Sequence, residues 1–457
     1  MNLNSIHNVY FLGIGGIGMS ALAKYFHAHN KHVAGYDLTP SAITHELEDI
    51  GIKVHYSEDI SLIPADFKPT DTLVVRTPAV PDEHSGFVYF KQESFKIRKR
   101  AEVLGILFNA KRGIAVAGTH GKTSVSSMLT HIMHLSSLGC NAFLGGISKN
   151  LQSNLLINEK SDWLVAEADE FDRSFLQLFP EMALVTWIDA DHLDIYKTKS
   201  EIVKAFGEFL SRVNNNGNIV LKHDIKISFN KSGKTVFTYS FDNPKSDFHA
   251  SDIQFNSGRY QFSLNTPRGK TEGVTLTQPG QTNVENAVGA ASLAYLAGVE
   301  TERISEALSS YKGVKRRFDI RFESPKITYI DDYAHHPREL DAIIGSVKKL
   351  YPDRKITGVF QPHLFSRTRD FAAEFARSLS KLDELILLDI YPAREKPIEG
   401  VSSAIIYNEV RNNAKSMCKK EELIEGLKNK DIDVLLTMGA GDIDRYPDVI
   451  TKILREK

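Results

Sequence analysis

Three consecutive α/β domains are predicted by the pattern of this chain. Three observations carry the prediction. Strand–helix alternation runs through 457 residues in three separate stretches. Two glycine-rich turns each sit between a short apolar strand and a helix. The alternation is interrupted between Asn218 and Thr277 by closely spaced strands with turn signals. Together these predict a Rossmann-like N-terminal domain, a P-loop-type central domain with added antiparallel strands, and a Rossmann-like C-terminal domain.

The first run opens with a strand at Asn8–Leu12, the turn Gly13-Ile14-Gly15-Gly16-Ile17-Gly18 and a helix at Met19–His29. A strand at His32–Tyr36 ends at Asp37, and a helix at Ile43–Ile50 and a strand at Thr72–Val75 follow. The basic stretch Lys96–Arg100 precedes a short helix ending near Phe108, so the first domain is set at residues 1–109. The second run has a strand at Gly113–Ala117, a glycine turn at Gly118–Ser124 and a helix at Ser124–Leu138. Strands at Trp163–Ala168 and Met182–Ile188, then helices at Lys199–Val213, Val284–Ala297 and Thr301–Ser310, complete a domain of residues 110–319. The third run, 320–457, alternates strands at Ile327–Ile330, Ile356–Phe360, Leu385–Leu388 and Asp433–Leu436 with helices at Pro337–Leu350, Ser366–Leu382 and Glu421–Lys428.

Composition excludes several classes. Lys plus Arg is 56 and Asp plus Glu is 57, a net charge of −1. That balance argues against binding nucleic acid or anionic membrane through bulk charge. The two cysteines, Cys140 and Cys418, build no disulfide framework and no Cys-x-x-Cys site. A reducing, cytoplasmic compartment is expected. The apolar run Val9–Ala23 contains four glycines and falls short of the ~20 residues of a membrane span. No basic cluster precedes it as a secretory signal requires, so a soluble protein is expected.

The first glycine turn suits a diphosphate, because free N–H groups and the helix dipole favour anions there. Gly13, Gly15, Gly16 and Gly18 allow close backbone approach, and Asp37 stands where a carboxylate can take a ribose hydroxyl. Position alone does not choose a nicotinamide dinucleotide over a UDP-sugar. The second turn, Gly118-Thr119-His120-Gly121-Lys122-Thr123-Ser124, ends as a P-loop does. Lys122 can reach β/γ phosphates and Thr123 can ligate Mg²⁺. The leading glycine of the full P-loop pattern falls on Val116, so the loop starts later, at Gly118.

Four carboxylates, Glu167, Asp169, Glu170 and Asp172, crowd one strand end and call for cations. Mg²⁺ is the natural one beside a P-loop, with Glu167 its best ligand. His192, in Asp191-His192-Leu193-Asp194, follows another strand and can bind metal or orient a phosphate. Asn283 and Asn286 lie one turn apart at a helix start, where amides can read a purine edge or cap the helix. Arg316 and Arg317 at the second boundary are either solvated or a phosphate clamp. Asp331-Asp332-Tyr333-Ala334-His335-His336-Pro337 and Gln361–Arg369 occupy strand ends, the second supplying Arg367 as a carboxylate partner. Cys140 reads as an inert buried thiol.

The order and spacing of these motifs resemble the Mur ligase family, most closely its alanine-adding branch, over essentially the whole chain. The carriers are Gly13–Ala23, Ala117–Thr123, Glu167–Leu176, Asp191–Asp194, Gly313–Asp319, Asp331–Pro337 and Gln361–Thr368. The resemblance implies an ATP-dependent ligase that joins L-alanine to the carboxylate of UDP-N-acetylmuramate through an acyl phosphate. It implies that the three domains bind the UDP-sugar, ATP and the amino acid in that order. The nicotinamide reading of the first turn then gives way to a UDP diphosphate. By the match, Gly118–Ser124, Asn283, Asn286, Arg317 and Asp332 contact ATP. Thr123 and Glu167 serve one Mg²⁺ and His192 a second. Tyr333, His335, His336 and Arg367 face the amino acid, with His335 or His336 the candidate base. Lys122, Glu167, His192, Arg317 and His336 carry catalysis. A monomer or weak homodimer, without nucleic acid or membrane insertion, is expected. Two positions depart from the family pattern: Thr282 replaces a frequent His, and Leu364 replaces a frequent Arg. No counterpart of the sister ligases' carbamylated lysine is found, which resembles the alanine-adding branch.

Overall fold

Apolar strands flanked by helices assemble into three sheets in the computed structural model, which describes residues 3–189, 193–256, 258–393, 395–411 and 414–457. Two compact units hold them. One comprises Met1–Gln254, Gln261–Thr275 and Glu285–Lys312, and the other Phe255–Tyr260, Leu276–Val284 and Gly313–Lys457.

The first unit begins with five strands, β1 (Asn8–Leu12), β2 (His32–Tyr36), β3 (Lys53–His55), β4 (Thr72–Arg76) and β5 (Lys96–Lys99). They pair in parallel in the order β3-β2-β1-β4-β5. Helices α1 (Ile17–Ala28), α2 (Ala42–Asp49), α3 (Ser85–Gln92) and α4 (Arg100–Asn109) connect or follow them. All five β1 residues are buried, as expected of a central parallel strand covered on both faces. The strand order reverses beside β1, so the turn after it lies at the topological switch point. The basic stretch Lys96–Lys99, expected only to precede a helix, is itself the edge strand β5. Charged side chains suit an unpaired edge, which they protect from further pairing.

The second sheet of this unit has ten strands. They are β6 (Arg112–Ala117), β7 (Asn141–Ser148), β8 (Ser153–Leu156), β9 (Trp163–Ala168), β10 (Met182–Val185), β11 (Asn218–Lys222), β12 (Thr235–Ser240), β13 (Phe248–Asn256), β14 (Arg259–Thr266) and β15 (Gly269–Leu276). Their order is β15-β14-β13-β12-β11-β10-β6-β9-β7-β8. Helices α5 (Lys122–Leu135), α6 (Leu193–Tyr196), α7 (Lys199–Ser211), α8 (Gln281–Ala297) and α9 (Thr301–Ser310) accompany them. The expectation of antiparallel strands from Asn218 onward holds only for the far end. β11 and β12 pair in parallel, and β13 joins β12 in parallel at Tyr239↔Phe248. β14 and β15 are joined by Pro267 and Arg268 alone, a link that only an antiparallel pair allows. Period-two alternation looks the same for either pairing direction, so it left this open.

The two sheets share a core. Helix α1 sits on the β7–β8 hairpin, and buried Asn154 donates through Nδ2 to the Ile17 carbonyl at 2.7 Å and to Ser20 Oγ at 3.0 Å. Phe175 stacks on Phe209 of α7 with ring centres 5.1 Å apart.

The second unit is built on β16 (Asp319–Glu323), β17 (Thr328–Asp332), β18 (Ile356–Phe360), β19 (Glu384–Leu388), β20 (Lys415–Cys418) and β21 (Val434–Met438). The order is β16-β17-β21-β18-β19-β20, parallel except for β16. Helices α10 (Pro337–Leu350), α11 (Phe365–Asp370), α12 (Ala372–Leu379), α13 (Ala404–Glu409), α14 (Leu423–Lys428) and α15 (Pro447–Arg455) pack on it. Leu340, Ile343, Ile344 and Val347 of α10 fill one core, and Ile450 and Leu454 of α15 fill another. The expected helix over Ser366–Leu382 is divided at Phe371, whose φ of −123° leaves the helical range. Its ring lies against His336, with centres 5.1 Å apart.

Candidate active site

The second glycine turn joins β6 to α5 and is held by the exit of β10. Thr119 N–H donates to the Trp187 carbonyl at 2.9 Å, and Thr186 N–H to Ala117 at 3.0 Å. Thr186 Oγ1 donates to the His120 carbonyl, and Asp189 N–H donates to Thr119 Oγ1 at 3.2 Å. His120 Nε2 lies 3.6 Å from Asp189 Oδ2. Gly118 and Gly121 have φ of +133° and +84°. A Cβ at Gly118 would stand 2.0 Å from Thr186 Oγ1, so glycine is required there by both conformation and space. No side chain caps α5 at Gly121, which leaves its start suited to an anion. Ser124 lies in the first turn of α5.

Lys122 Nζ donates to the Gly118 carbonyl at 2.6 Å and to Glu170 Oε2 at 2.7 Å. Burial opposes its charge, but Glu170, Asp169 and Glu167 outweigh burial and raise its pKa above the usual lysine value. Glu167 accepts three hydrogen bonds: from Thr123 Oγ1 at 3.1 Å, Ser126 Oγ at 3.1 Å and Gly145 N–H at 2.6 Å. The cations that the acidic run called for are in part the chain's own. Glu170 takes Lys122, Asp172 takes Lys99 at 2.8 Å, and Asp169 takes Arg100 at 3.3 Å. The roles of Lys99 and Arg100 were missed, although the run Lys96–Arg100 was itself visible.

Thr123 and Glu167 present adjacent hard oxygen donors, the chemistry Mg²⁺ prefers. Among the described residues no group of three or more His, Cys, Asp and Glu side chains forms a metal cluster. His192 lies outside the described residues. Asn286 is at the glycine turn: a Cβ on Gly121 would meet its Oδ1 at 2.9 Å. Asn283, three residues earlier on α8, spends its Nδ2 on the Pro279 carbonyl at 2.7 Å and braces the helix entry.

The first glycine turn closes on its own strand ends. Gly13 N–H and Ile14 N–H donate to the Tyr36 carbonyl at 2.8 and 2.9 Å. Asp37 Oδ2 accepts from Gly15 N–H at 2.7 Å, so this carboxylate braces the turn. Gly16 caps α1 without a side chain. Gly18 lies in the first turn of α1.

In the second unit, β17 delivers Asp331 and Asp332 at its C-terminal end. Asp332 is buried, and its two oxygens accept from Phe318 N–H at 2.7 Å and Ala334 N–H at 2.8 Å. Burial pushes its pKa up to about 6, against the pull of Arg317 and both N–H groups. Both boundary arginines lie over the Tyr333 ring, Arg316 at 5.4 Å and Arg317 at 5.0 Å, but they serve different carboxylates. Arg316 pairs with buried Asp331 at 3.1 Å and donates to the Gly439 carbonyl at 2.7 Å. Arg317 acts instead on the next carboxylate, Asp332, whose charged form it favours. His335 Nδ1 is 3.0 Å from the Tyr333 carbonyl and 3.3 Å from Glu339 Oε2. Glu339 also accepts from the His335 and His336 N–H groups at 3.0 and 3.2 Å, closing the start of α10. Glu339 was missed, although its place three residues after His336 is a capping signal. Arg367 is buried on α11, and Leu364 caps that helix with a φ of +73°.

The whole chain matches known proteins. The Mur ligase family, catalytic domain, matches residues 8–112; the Mur ligase middle domain matches 116–294; the Mur ligase, glutamate ligase domain matches 316–441. A UDP-N-acetylmuramate–L-alanine ligase of Phocaeicola vulgatus is 48% identical over 100% of both chains. The chain belongs to the Mur ligase family. A ligase of the same name from Porphyromonas gingivalis is 51% identical over 96% of each chain. The crystal structure of the UDP-N-acetylmuramate–alanine ligase MurC from Thermotoga maritima superposes with a TM-score of 0.84 at 25% identity, covering 98% of this chain and 99% of that one. A murein peptide ligase from Psychrobacter arcticus shares the fold, with a TM-score of 0.73 at 21% identity over 98% of each chain. The three-domain α/β architecture is that of Mur ligases. No helix among the described residues is long and apolar enough to cross a membrane.

Proposed function

We propose that this Mur ligase joins L-alanine to UDP-N-acetylmuramate at the expense of ATP, the first amino-acid addition to a peptidoglycan precursor. The observation that carries the reading is the convergence of Lys122, Thr123 and Glu167 at the start of α5, in a chain whose relatives of that name match it end to end. Residues 1–109 hold the UDP-sugar, 110–319 hold ATP and 320–457 hold the amino acid.

A carboxylate is a poor electrophile, so one of its oxygens must become a leaving group. The sugar carboxylate attacks the γ-phosphorus, ADP departs, and an acyl phosphate forms. The amine of L-alanine attacks the acyl carbon, loses a proton and expels phosphate. Both steps bring anions together, so the chain's task is positioning and charge neutralisation. Lys122 exchanges Glu170 for phosphate oxygens, the uncapped α5 start takes further phosphate oxygens, and Asn286 flanks the turn. Thr123 and Glu167 would hold Mg²⁺, with His192 assigned to a second ion. Bound there, Mg²⁺ supplies positive charge to the phosphates. Arg317 with Asp332, and Asn283 on its helix, complete the ATP contacts. Arg367 takes the alanine carboxylate, Tyr333 lines its side, and His335 or His336 accepts the amine proton.

The test is phosphate release with ATP, Mg²⁺ and UDP-N-acetylmuramate, with L-alanine, with a tripeptide, or with neither. Release that depends on L-alanine and accompanies amide formation supports the reading. Release with the tripeptide alone assigns a murein peptide ligase instead.

A further inference from the structure

Arg100 stands where the two glycine-turn regions of the first unit meet. It is the first residue of α4, and its guanidinium lies against Gly18: a Cβ added there would be 3.0 Å from Nη1. Its Nη2 is 3.3 Å from Asp169 Oδ2 on the acidic loop. The preceding residue, Lys99, holds Asp172 at 2.8 Å. Asp172 and Arg173 are consecutive non-glycine residues in the left-handed region, with φ of 52° and 53°. Side chains bearing a Cβ adopt that conformation only at a cost, so the turn needs outside support. On the same loop, one residue beyond Asp169, Glu170 holds Lys122 at 2.7 Å. One guanidinium therefore lies against the first turn directly, and it reaches the P-loop lysine through two ion pairs joined by the Asp169–Glu170 peptide link.

We propose that Arg100 is a positioning residue that couples occupancy of the first glycine turn to the seating of the acidic loop against Lys122. The proposal rests on the reading that this turn takes the diphosphate of the sugar nucleotide. Guanidinium is a planar fork with five donors, so Arg100 can keep Asp169 on one amino group and give another to a phosphate oxygen. A lysine ammonium at the same place is a point charge on a flexible stem and cannot hold both groups in fixed geometry. An anion at the start of α1 then fixes the guanidinium, the guanidinium fixes Asp169, and Glu170 follows. Such coupling is reciprocal, so ATP-side changes must be felt by the sugar nucleotide.

The test measures KM for UDP-N-acetylmuramate and for ATP in the full-length enzyme, in Arg100→Lys, in Asp169→Asn and in the double variant. Arg100→Lys keeps the charge, and its melting temperature should stay near the parent's. It should raise the KM of the sugar nucleotide by roughly tenfold, the loss of one charge-assisted bond, and lower that of ATP, because a loosened Glu170 competes less for Lys122. Asp169→Asn should raise the KM of the sugar nucleotide, although Asp169 belongs to the loop that serves ATP. The double variant should cost no more than the larger single change, since both break one linkage. Additive effects, or an unchanged sugar-nucleotide KM in Asp169→Asn, would overturn the coupling. Failure of the parent enzyme to bind the sugar nucleotide by calorimetry would instead remove the assignment of the turn itself.

Discussion

Lys122 and Glu170 form a buried ion pair at 2.7 Å, at the glycine turn proposed for the ATP phosphates. The pair keeps the lysine charged and in place, and in the proposed ATP site Glu170 would compete with the phosphates for it. Glu170→Gln removes the competitor and one negative charge. It should tighten binding of a non-hydrolysable ATP analogue by roughly three- to tenfold and lower the melting temperature of the nucleotide-free protein. Weaker nucleotide binding in titration calorimetry would show that Glu170 assists the nucleotide.

Lys122→Ala should abolish ADP formation while UDP-N-acetylmuramate still binds. The lysine sits on the second glycine turn, and the sugar nucleotide is assigned to the first. Near-normal turnover would sink the P-loop assignment.

Glu167 organises Thr123, Ser126 and Gly145 with three accepted hydrogen bonds. A Gln there turns a donor toward one of those donors and loses the charge that a divalent ion needs. The Mg²⁺ concentration for half-maximal activity should rise roughly tenfold or more. An unchanged Mg²⁺ requirement would release Glu167 from metal binding.

Arg367→Ala should raise the L-alanine requirement far more than the ATP requirement. Arg367 is buried on α11, in the part of the chain assigned to the amino acid. Equal effects on both substrates would argue for a purely structural arginine.

The pKa of Asp332, raised to about 6 by burial, makes a stability prediction. An unfolded aspartate titrates near ~3.9, so between about pH 4 and 6 the folded state holds a proton that the unfolded state has lost. Stability from this group is therefore fully present at low pH, falls as pH rises through that window, and is flat above it. The drop is on the order of 2–3 kcal/mol. The difference in unfolding free energy between the parent and Asp332→Asn should follow this curve. A difference constant from pH 4 to 8 would mean that Asp332 titrates as an exposed carboxylate.

Much of the site was legible because its constraints are local. Gly118 and Gly121 adopt positive φ, and glycine between a strand and a helix announces such a turn. Lys122 and Thr123 follow at the helix start by chain connectivity alone. Pro337 at the first turn of α10 and Asp332 at the end of β17 were likewise readable in place. Less legible were the partners. The acidic run displayed its need for cations, but not that Lys99 and Arg100, about seventy residues earlier, would supply two of them. The position of Asp37 suggests a ribose ligand, and the fold also spends one of its oxygens on Gly15.

The sequence alone settles the α/β class, the three runs of alternation, the two glycine turns between a strand and a helix, and the family. Each of these follows from backbone conformation, side-chain periodicity or short-range spacing. Only the tertiary structure decided the parallel pairing of β11 and β12, the break at Phe371, and the division of work between Arg316 and Arg317. It also decided the clasp of Lys99 and Arg100 on the acidic loop. These depend on which distant strand or charge arrives alongside, and a side chain's chemistry states that a partner is needed without stating which one packing will bring.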